Sequence, residues 1–332
     1  MFHKKIALAL TFVLALAVYS TEAMAAGPII FKIATTEADD SPVTKAFLEF
    51  EKYVEEKTNG KVDVQHFGNG VLGGEREIIE GIALGTIQMG FPAASVLSMY
   101  DDKFNLLELP FVYDSYDVAY KAWDGEIGEI YSKWMEELGF QNLGLVAFSA
   151  RGFSTNVRPV RVPADLKGIK VRVIESQLYI DLFKAFGANP TPMSDPEIYT
   201  ALQQGTIQAT EKGPMQVYTA KFYELCKYYT WLKHIIMPDP IMVKKSYMEK
   251  LPEDICKVIL DASAIACERL RKDMYDDEFN SLEAMRKAGV EVIEELTPEE
   301  TAQFRALLKP IYDKYRKIVG DEIMDKLFSY NK

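Results

Sequence analysis

The clearest chemical feature of the sequence is a run of basic side chains in a protein whose formal net charge is −11. The run contains a single acid, Asp165, and the basic residues Arg151, Arg158, Arg161, Lys167, Lys170 and Arg172. The guanidinium group of arginine presents a planar fork of donors that matches a carboxylate. The segment therefore indicates either a site that holds a planar organic anion or a basic edge exposed to solvent.

Three glycines, Gly68, Gly70 and Gly73, have the spacing of a dinucleotide-binding fingerprint. That fingerprint belongs after the first strand of its unit and needs an acidic residue about 20 positions later. Here it follows the second predicted strand, and the corresponding stretch from Phe91 to Ser95 contains no acid. We therefore expect the glycines to shape a tight loop, which either brings the backbone close to a ligand or only turns the chain.

The sequence offers no arrangement of residues for catalysis or metal binding. It contains no G-x-S-x-G, H-E-x-x-H or phosphate-loop motif. Beyond residue 25 its histidines are His66 and His234, and neither lies in a cluster of metal ligands. Cys256 and Cys267 are predicted to share a helix, roughly 16 Å apart and too far for a disulfide, which leaves Cys226 free as well. We predict no catalytic residue, no metal and no cofactor.

The first 25 residues have the pattern of a secretory signal peptide. Lys4 and Lys5 precede an apolar stretch over residues 6–18, and Ala23-Met24-Ala25 follows as a cleavage site. We predict cleavage near Ala25 and a periplasmic location, with an uncleaved anchor helix as the alternative. The acidic charge of the chain argues against binding to nucleic acid or to an anionic membrane surface. No later apolar run is long enough for stable membrane insertion.

Beyond the signal peptide, the coarse pattern alternates strands with helices. Strands are predicted at residues 29–34, 62–67, 87–91, 143–148, 170–174 and 207–210. Helices are predicted at 42–59, with Ser41 as its N-cap, at 74–84 and at 252–287. Strands separated by helices of this length predict an α/β fold with parallel sheets, and about 300 residues suffice for two lobes.

Two further patterns bear on the number of lobes. Residues 83–88 recur, with two residues inserted, at 201–208, which indicates either two similar α/β lobes or a common helix-to-strand turn. The predicted helix over 252–287 is long enough to join two lobes, or it lies on the surface of one.

Several ordered motifs extend over nearly the whole chain beyond the signal peptide. They are Leu109-Pro110-Phe111, Trp123-Asp124-Gly125, Arg151-Gly152, Val162-Pro163-x-Asp165-Leu166-x-Gly168-x-Lys170-x-Arg172, Phe186-Gly187-Ala188-Asn189-Pro190-Thr191-Pro192, Glu197-x-Tyr199-x-Ala201-Leu202-Gln203-x-Gly205 and Lys221-Phe222-Tyr223-Glu224. Together they resemble the extracytoplasmic solute receptors of tripartite ATP-independent periplasmic (TRAP) transporters, in the dicarboxylate-receptor family, solute-binding protein family 7.

The resemblance implies a two-lobed periplasmic-binding-protein-like α/β fold with crossing strands and a long hinge helix. We expect lobe I to contain residues 26–148 and about 236–275, and lobe II to contain 149–235 and about 276–332. The implied function is the capture of a small organic acid by closure of the lobes, and its delivery to the TRAP membrane permease subunits, without chemical change. A protein that presents its closed form to a signalling receptor, or a periplasmic hydrolase or isomerase, is the alternative.

The resemblance also implies that Arg172 is the family's carboxylate-clamping arginine and that Arg151 is a second pocket cation. The sequence departs from the family at Lys212, where asparagine is usual, and at Asp195, where some members have an aromatic ring. These two residues are expected to contact the ligand, or else to pair with each other or with Glu75. The predicted ligand-binding residues are Arg172, Arg151, Lys212, Asp195, Glu75 and Glu37. A sugar acid, a dicarboxylate and an aromatic oxo acid all fit this set.

Overall fold

The computed structural model describes residues 27–331, which form two β-sheets flanked by helices. The predicted signal peptide lies outside the described residues. Within 27–331, none of the helices combines the length and the apolar character needed to cross a membrane.

The first sheet contains the strands Ile29–Ala34 (β1), Val62–Phe67 (β2), Met89–Gly90 (β3), Phe140–Ala150 (β4) and Ile236–Lys244 (β10). Their order is β2-β1-β3-β10-β4, and β10 runs antiparallel to both of its neighbours. The predicted bounds of β1 and β2 are confirmed. The strand predicted over 87–91 was too long, because Pro92 lacks an N–H for the ladder and a 3₁₀ turn begins at Ala94.

The second sheet contains Gly152–Thr155 (β5), Lys170–Val173 (β6), Asn189–Pro192 (β7), Ala209–Lys212 (β8), Tyr228–Thr230 (β9) and Glu291–Ile293 (β11). Their order is β11-β9-β5-β8-β6-β7. Strand β6 is parallel to both of its neighbours, and Arg172 is in register with Thr210 of β8 and Thr191 of β7. The carboxyl ends of β8, β6 and β7 therefore meet at one edge of the sheet.

The α-helices are Pro42–Lys57 (α1), Glu75–Leu84 (α2), Tyr116–Trp123 (α3), Glu126–Glu137 (α4), Gln177–Ala185 (α5), Ile198–Gln203 (α6), Pro214–Thr219 (α7), Lys245–Met248 (α8), Glu253–Lys287 (α9), Pro298–Arg305 (α10), Lys309–Val319 (α11) and Asp321–Ser329 (α12). Helix α1 begins as predicted, because the Ser41 hydroxyl accepts the N–H of Thr44 at 3.1 Å. The long predicted helix is also confirmed as α9, which buries Ile255, Ile259 and Ala262.

Aromatic side chains pack on each of the two sheets. In the first, Phe31 of β1 stacks on Phe50 of α1 with ring centroids 6.0 Å apart. In the second, Phe153 of β5 meets the ring of Phe183 of α5 edge-on at 5.7 Å. Complete burial of one such ring stabilises the fold by roughly 1.5–3 kcal/mol. Both pairs belong to one continuous set of buried residues that extends across the two sheets.

The two sheets are joined where β4 continues into β5 and where β9 leads into β10. Ala150 ends β4, and side chains from two other segments hold both of its backbone groups. Its N–H donates to Glu278 Oε1 of α9 at 2.7 Å, and its carbonyl accepts from Trp231 Nε1 at 2.7 Å. Crossing strands beside a long shared helix confirm the predicted two-lobed α/β fold.

The C-terminal helices contact segments that precede β4 as well as helix α5. Tyr312 Oη of α11 donates to the carbonyl of Pro110 at 2.6 Å, and Lys314 Nζ lies 2.8 Å from Asp181 of α5. All of the lobe boundaries stay a prediction.

Candidate functional site

Three of the predicted site residues lie together at the carboxyl edge of the second sheet. Arg172 is on β6, Lys212 ends β8, and Asp195 follows β7 in the next turn. In open α/β sheets, ligands bind beyond the carboxyl ends of the strands. Because β8, β6 and β7 are neighbours, the fold gathers side chains that are up to 40 positions apart in the sequence, from Arg172 to Lys212.

Arg172 is buried at the centre of this edge, with 2% of its surface exposed. Its Nε donates to the carbonyl of Met193 at 2.9 Å, which fixes the plane of the guanidinium, and its Nη1 lies 3.6 Å from Asp195 Oδ1. Nη2 takes part in no hydrogen bond within residues 27–331. Burial lowers the pKa of Arg172, and the charges of Asp195 and Glu75 oppose that shift. The side chain is thus a rigid cation with donor capacity to spare.

Lys212 forms an ion pair with Asp195. Its Nζ lies 2.5 Å from Asp195 Oδ1, and the side chains are 5% and 16% exposed. Burial acts to raise the pKa of Asp195, but the charges of Lys212 and Arg172 outweigh it and lower that pKa. Lys212 and Asp195 therefore pair with each other in this structure, and contact of either residue with a ligand stays a prediction.

Glu37 and Glu75 face this edge from the first lobe. Glu37 follows β1 and is 8% exposed, whereas Glu75 begins α2 and accepts the N–H of Ala93 at 3.1 Å. Burial raises the pKa of Glu37 to about 8, although Lys212 opposes the shift. Burial also raises the pKa of Glu75, and the charge of Asp195 adds to this effect.

A cavity of about 290 Å³ opens between the two lobes at this point. Glu37 and Asn69 line it from the first lobe, and Asp195, Lys212 and Phe222 line it from the second. We call this space the interlobe cleft. Its volume and its mixed charge suit a small polar anion better than a large apolar one.

The loop of Gly68, Gly70 and Gly73 forms one rim of the interlobe cleft. The N–H of Gly70 donates to the carbonyl of Thr35 at 3.1 Å, which ties the loop to the end of β1. A Cβ on Gly70 would lie 2.7 Å from Cγ of Pro196 across the cleft. The glycines therefore shape a loop that closely approaches the opposite lobe, and its approach to a ligand stays a prediction.

Arg151 is buried beside the cleft and has a carboxylate partner of its own. Its Nε donates to Glu211 Oε1 and its Nη2 to the Glu211 carbonyl, both at 2.5 Å. Burial acts to raise the pKa of Glu211, but Arg151 and His234 lower it to about 2. Like Arg172 and Glu75, Arg151 is not among the residues that line the interlobe cleft. Direct contact between Arg151 and a ligand stays a prediction.

Sequence reasoning missed several buried polar residues next to this site. His234 Nε2 lies 3.3 Å from Glu211 Oε1, within a cage of phenylalanine rings. Asp239 of β10 is buried with no partner for its Oδ1 among the described residues, and burial raises its pKa well above the usual range. Glu108 accepts a hydrogen bond from Tyr179, and burial raises its pKa to about 7. Glu211 could have been found, because a buried arginine requires a counter-charge.

A larger cavity of about 650 Å³ lies elsewhere, beside the long helix α9. Its walls combine aromatic side chains, including Tyr116, Trp231 and Phe279, with an equal number of charged ones. Arg271 is its most prominent cation, but both of its terminal nitrogens donate to Asp124, at 2.6 and 2.7 Å. None of the six predicted ligand-binding residues lines this cavity, whereas Glu37, Asp195 and Lys212 line the interlobe cleft, which is therefore the candidate functional site.

The chain matches one protein family over most of its length. The family model described as "Bacterial extracellular solute-binding protein, family 7" matches residues 33–318. The 2,3-diketo-L-gulonate-binding periplasmic protein YiaO of Escherichia coli is 31% identical over 285 residues, which cover 86% of this chain and 86% of the relative. The C4-dicarboxylate-binding periplasmic protein DctP of Rhodobacter capsulatus is 31% identical over 303 residues, which cover 90% of this chain and 89% of the relative.

Solved structures agree with this match. The sugar acid binding protein DctPAm from Advenella mimigardefordensis, in complex with galactonate, superimposes with a TM-score of 0.88 at 28% identity, covering 92% of this chain and 98% of its own. A TRAP periplasmic solute binding protein from Polaromonas, bound to D-erythronate, superimposes with a TM-score of 0.86 at 32% identity, covering 91% of this chain and 98% of its own.

Proposed function

The chain belongs to the bacterial extracellular solute-binding protein family 7, and from that premise we propose that it captures a small organic acid in the interlobe cleft for a TRAP transporter. Proteins of this family and its structural neighbours are binding proteins for transport and not enzymes. Structures similar to this one hold galactonate, D-erythronate or succinate, all of which carry a carboxylate. The observation that carries the proposal is the buried Arg172, fixed through Nε and presenting its remaining donors at the carboxyl edge of β6.

In this proposal, Arg172 binds the ligand carboxylate while the opposite lobe supplies Glu37 and Glu75. A buried carboxylate needs a paired charge and satisfied hydrogen bonds, and closure of two lobes provides both while excluding water. Arg151 contributes by filling the base of the site with a cation that Glu211 keeps in place.

We further propose that the protein works in the periplasm. Family members are extracytoplasmic binding proteins, and the basic and apolar pattern of residues 1–25 supports export and cleavage near Ala25. The proposed partners are the membrane permease subunits of the transporter. Co-purification of the mature chain with those subunits, in the presence and absence of ligand, tests this part directly.

The function is tested by a thermal-shift screen of organic acids. A ligand at 100 times its dissociation constant stabilises the folded state by roughly 2.7 kcal/mol, which gives a clear rise in melting temperature. Small-angle scattering should show a smaller radius of gyration with the bound acid, and mass spectrometry should recover that acid unchanged. Recovery of a converted product would contradict the proposal, as would the failure of every acid to bind.

A further inference from the structure

A buried glutamine lines the interlobe cleft and uses only one end of its amide within residues 27–331. Gln216 of α7 is 3% exposed and lines the cleft together with Lys212 and Asp195. Its side-chain oxygen accepts two hydrogen bonds, from Ser149 Oγ and from the N–H of Gly213, both at 3.2 Å. Its Nε2 takes part in no hydrogen bond with the described residues. Because an amide nitrogen carries two donor hydrogens, the site retains unused donor capacity.

The two hydrogen bonds decide which end of the amide faces the cleft. The backbone N–H of Gly213 can only donate, so the atom of Gln216 that meets it must be the oxygen and not the nitrogen. Neither Ser149 nor Gly213 lines the cleft, so the oxygen is turned towards the protein and the nitrogen is left for the cleft. A Cβ on residue 213 would overlap Ser149, so glycine permits the close packing that holds the glutamine oxygen in place.

The helix alone explains one half of this arrangement. Gln216 is the third residue of α7, and a side chain at that position commonly accepts the N–H of the capping residue, here Gly213. Glutamate would serve that purpose equally well. The cap thus accounts for the oxygen of Gln216 but not for its nitrogen, which glutamate lacks.

Building on the function proposed above, we infer that Gln216 determines specificity by donating from Nε2 to an uncharged oxygen of the ligand, a hydroxyl or a carbonyl, apart from its carboxylate. A second carboxylate buried at this point would need a cation. Gln216 carries no charge, and Lys212 is already paired with Asp195. Lys221, the other lysine that lines the cleft, is exposed to solvent. The class of ligand is therefore a hydroxy acid or an oxo acid.

The inference is tested with acids that share a carbon chain and differ in one group. Calorimetric titration compares 4-oxopentanoate, 4-hydroxypentanoate, pentanoate and the dicarboxylate glutarate. The same four groups on six-carbon and seven-carbon chains, with the oxygen on carbon 5 or 6, vary its distance from the carboxylate. For the chain length that binds best, the oxo and hydroxy acids should each bind about two- to tenfold more tightly than the other two, as one hydrogen bond net of exchange with water predicts.

Gln216→Glu separates donation to the ligand from capping of α7. Glutamate keeps an oxygen for Gly213 and Ser149, but it replaces the donor with an acceptor. An oxo group can only accept a hydrogen bond, whereas a hydroxyl can turn and donate to the new carboxylate. The preference for the oxo acid over the unsubstituted acid should therefore be lost, while the hydroxy acid keeps most of its preference. The ratio of affinities is the readout, because the added negative charge weakens all of the monocarboxylates alike.

A matched control makes the same change elsewhere. Gln303→Glu alters an exposed glutamine of α10 that does not line the cleft, and it should leave every ratio as in the parent. The ratios of the unaltered protein stand even if Gln216→Glu folds poorly, which circular dichroism would reveal.

The outcomes separate this inference from the proposed function. If the unsubstituted acid or the dicarboxylate binds as tightly as the oxo acid, or if Gln216→Glu leaves the ratios unchanged, Gln216 only caps α7 and an organic-acid receptor is retained. If no acid of the series binds, the best acid of the thermal-shift screen is compared with its counterpart that lacks the oxygen. A best acid without an uncharged oxygen overturns the inference. If that screen also finds no acid, the proposed function itself is contradicted.

Discussion

Lys212 Nζ lies 2.5 Å from Asp195 Oδ1, although the two residues belong to strand ends that are separated by β6. Their ion pair therefore spans the end of the strand that carries Arg172. Arg172 Nη1 is itself 3.6 Å from the same Asp195 oxygen. A single carboxylate thus holds both Arg172 and Lys212 in position.

We predict that Lys212→Asn lowers stability through loss of this pair. It should reduce the free energy of unfolding by about 1–3 kcal/mol, because Asp195 is left as a mostly buried carboxylate with a weaker partner. Adding Asp195→Asn should restore a large part of the loss, since no unpaired charge then remains. Urea unfolding of both single variants and the double variant measures the coupling. Strictly additive losses would show that the pair contributes nothing to stability.

Arg172→Lys tests the carboxylate clamp. The substitution keeps the charge but loses both the planar fork and the bond from Nε to the Met193 carbonyl. We expect a loss of about one hydrogen bond to a charged group, or roughly 10- to 150-fold in affinity for the tightest acid of the thermal-shift screen. Arg172→Ala should lower the affinity further than Arg172→Lys does. If Arg172→Lys binds within about twofold of the parent, with an unchanged circular dichroism spectrum, Arg172 is not the clamp and Arg151 becomes the better candidate.

The pH dependence of stability should reflect the buried carboxyl of Glu278. Burial raises its pKa from 4.5 to about 8 in the folded protein, so the folded state binds a proton that the unfolded state has lost between these values. Stability therefore falls as the pH rises from about 4.5 to 8, by at most about 1.4 kcal/mol per pH unit for this group. Glu37 and Glu108 shift stability in the same direction.

Glu278→Gln isolates the contribution of Glu278, because glutamine can still accept the N–H of Ala150. Urea unfolding at pH 5, 6, 7 and 8 should show a smaller decline for the variant than for the parent. The exposed Glu322→Gln serves as the control and should follow the parent. Parallel curves for Glu278→Gln and the parent would show that this carboxyl ionises normally in the folded protein.

The elements that the sequence predicted well are those with local signals. Strand β1 has buried residues Phe31 and Ile33 at alternate positions, and α1 has the cap of Ser41 followed by Pro42. The sequence of β10 argues against a central strand, because it contains Pro238, Asp239 and Pro240. It forms nevertheless, with register irregularities at Met237/Pro238 and between Pro240 and Met242, and its pairing with β4 is set by the whole lobe.

The residues of the candidate site also divide into those with a local signal in the sequence and those without one. The basic segment and the family motifs pointed to Arg172 from the sequence alone. The pairing of Lys212 with Asp195 depends on the strand order β8-β6-β7, and that order is a property of the assembled sheet. Glu211, the partner of Arg151, directly precedes Lys212 in the sequence. The sequence alone does not show this pairing, because it depends on the register of β5 and β8, in which Gly152 lies opposite Lys212 and Phe153 opposite Glu211.

The last prediction concerns closure of the cleft and uses two glycines with similar backbones. Gly70 has φ +64° and Gly60 has φ +73°, so alanine is strained at both positions. A Cβ on Gly60 would have no heavy atom within 4 Å, whereas a Cβ on Gly70 would meet Pro196 of the opposite lobe at 2.7 Å. Alanine therefore strains the backbone at both positions, but only alanine at position 70 would also clash with the opposite lobe.

Gly60→Ala and Gly70→Ala should each lower the free energy of unfolding of the ligand-free protein by about 1–2 kcal/mol. Only Gly70→Ala should also weaken ligand binding, by about tenfold or more, because closed lobes would force a methyl group against a rigid proline ring. Scattering should then show a larger radius of gyration for Gly70→Ala than for Gly60→Ala at the same ligand concentration. If the two variants bind equally well, the glycine loop and Pro196 do not meet when the ligand is bound, because the lobes then close differently or Pro196 moves aside.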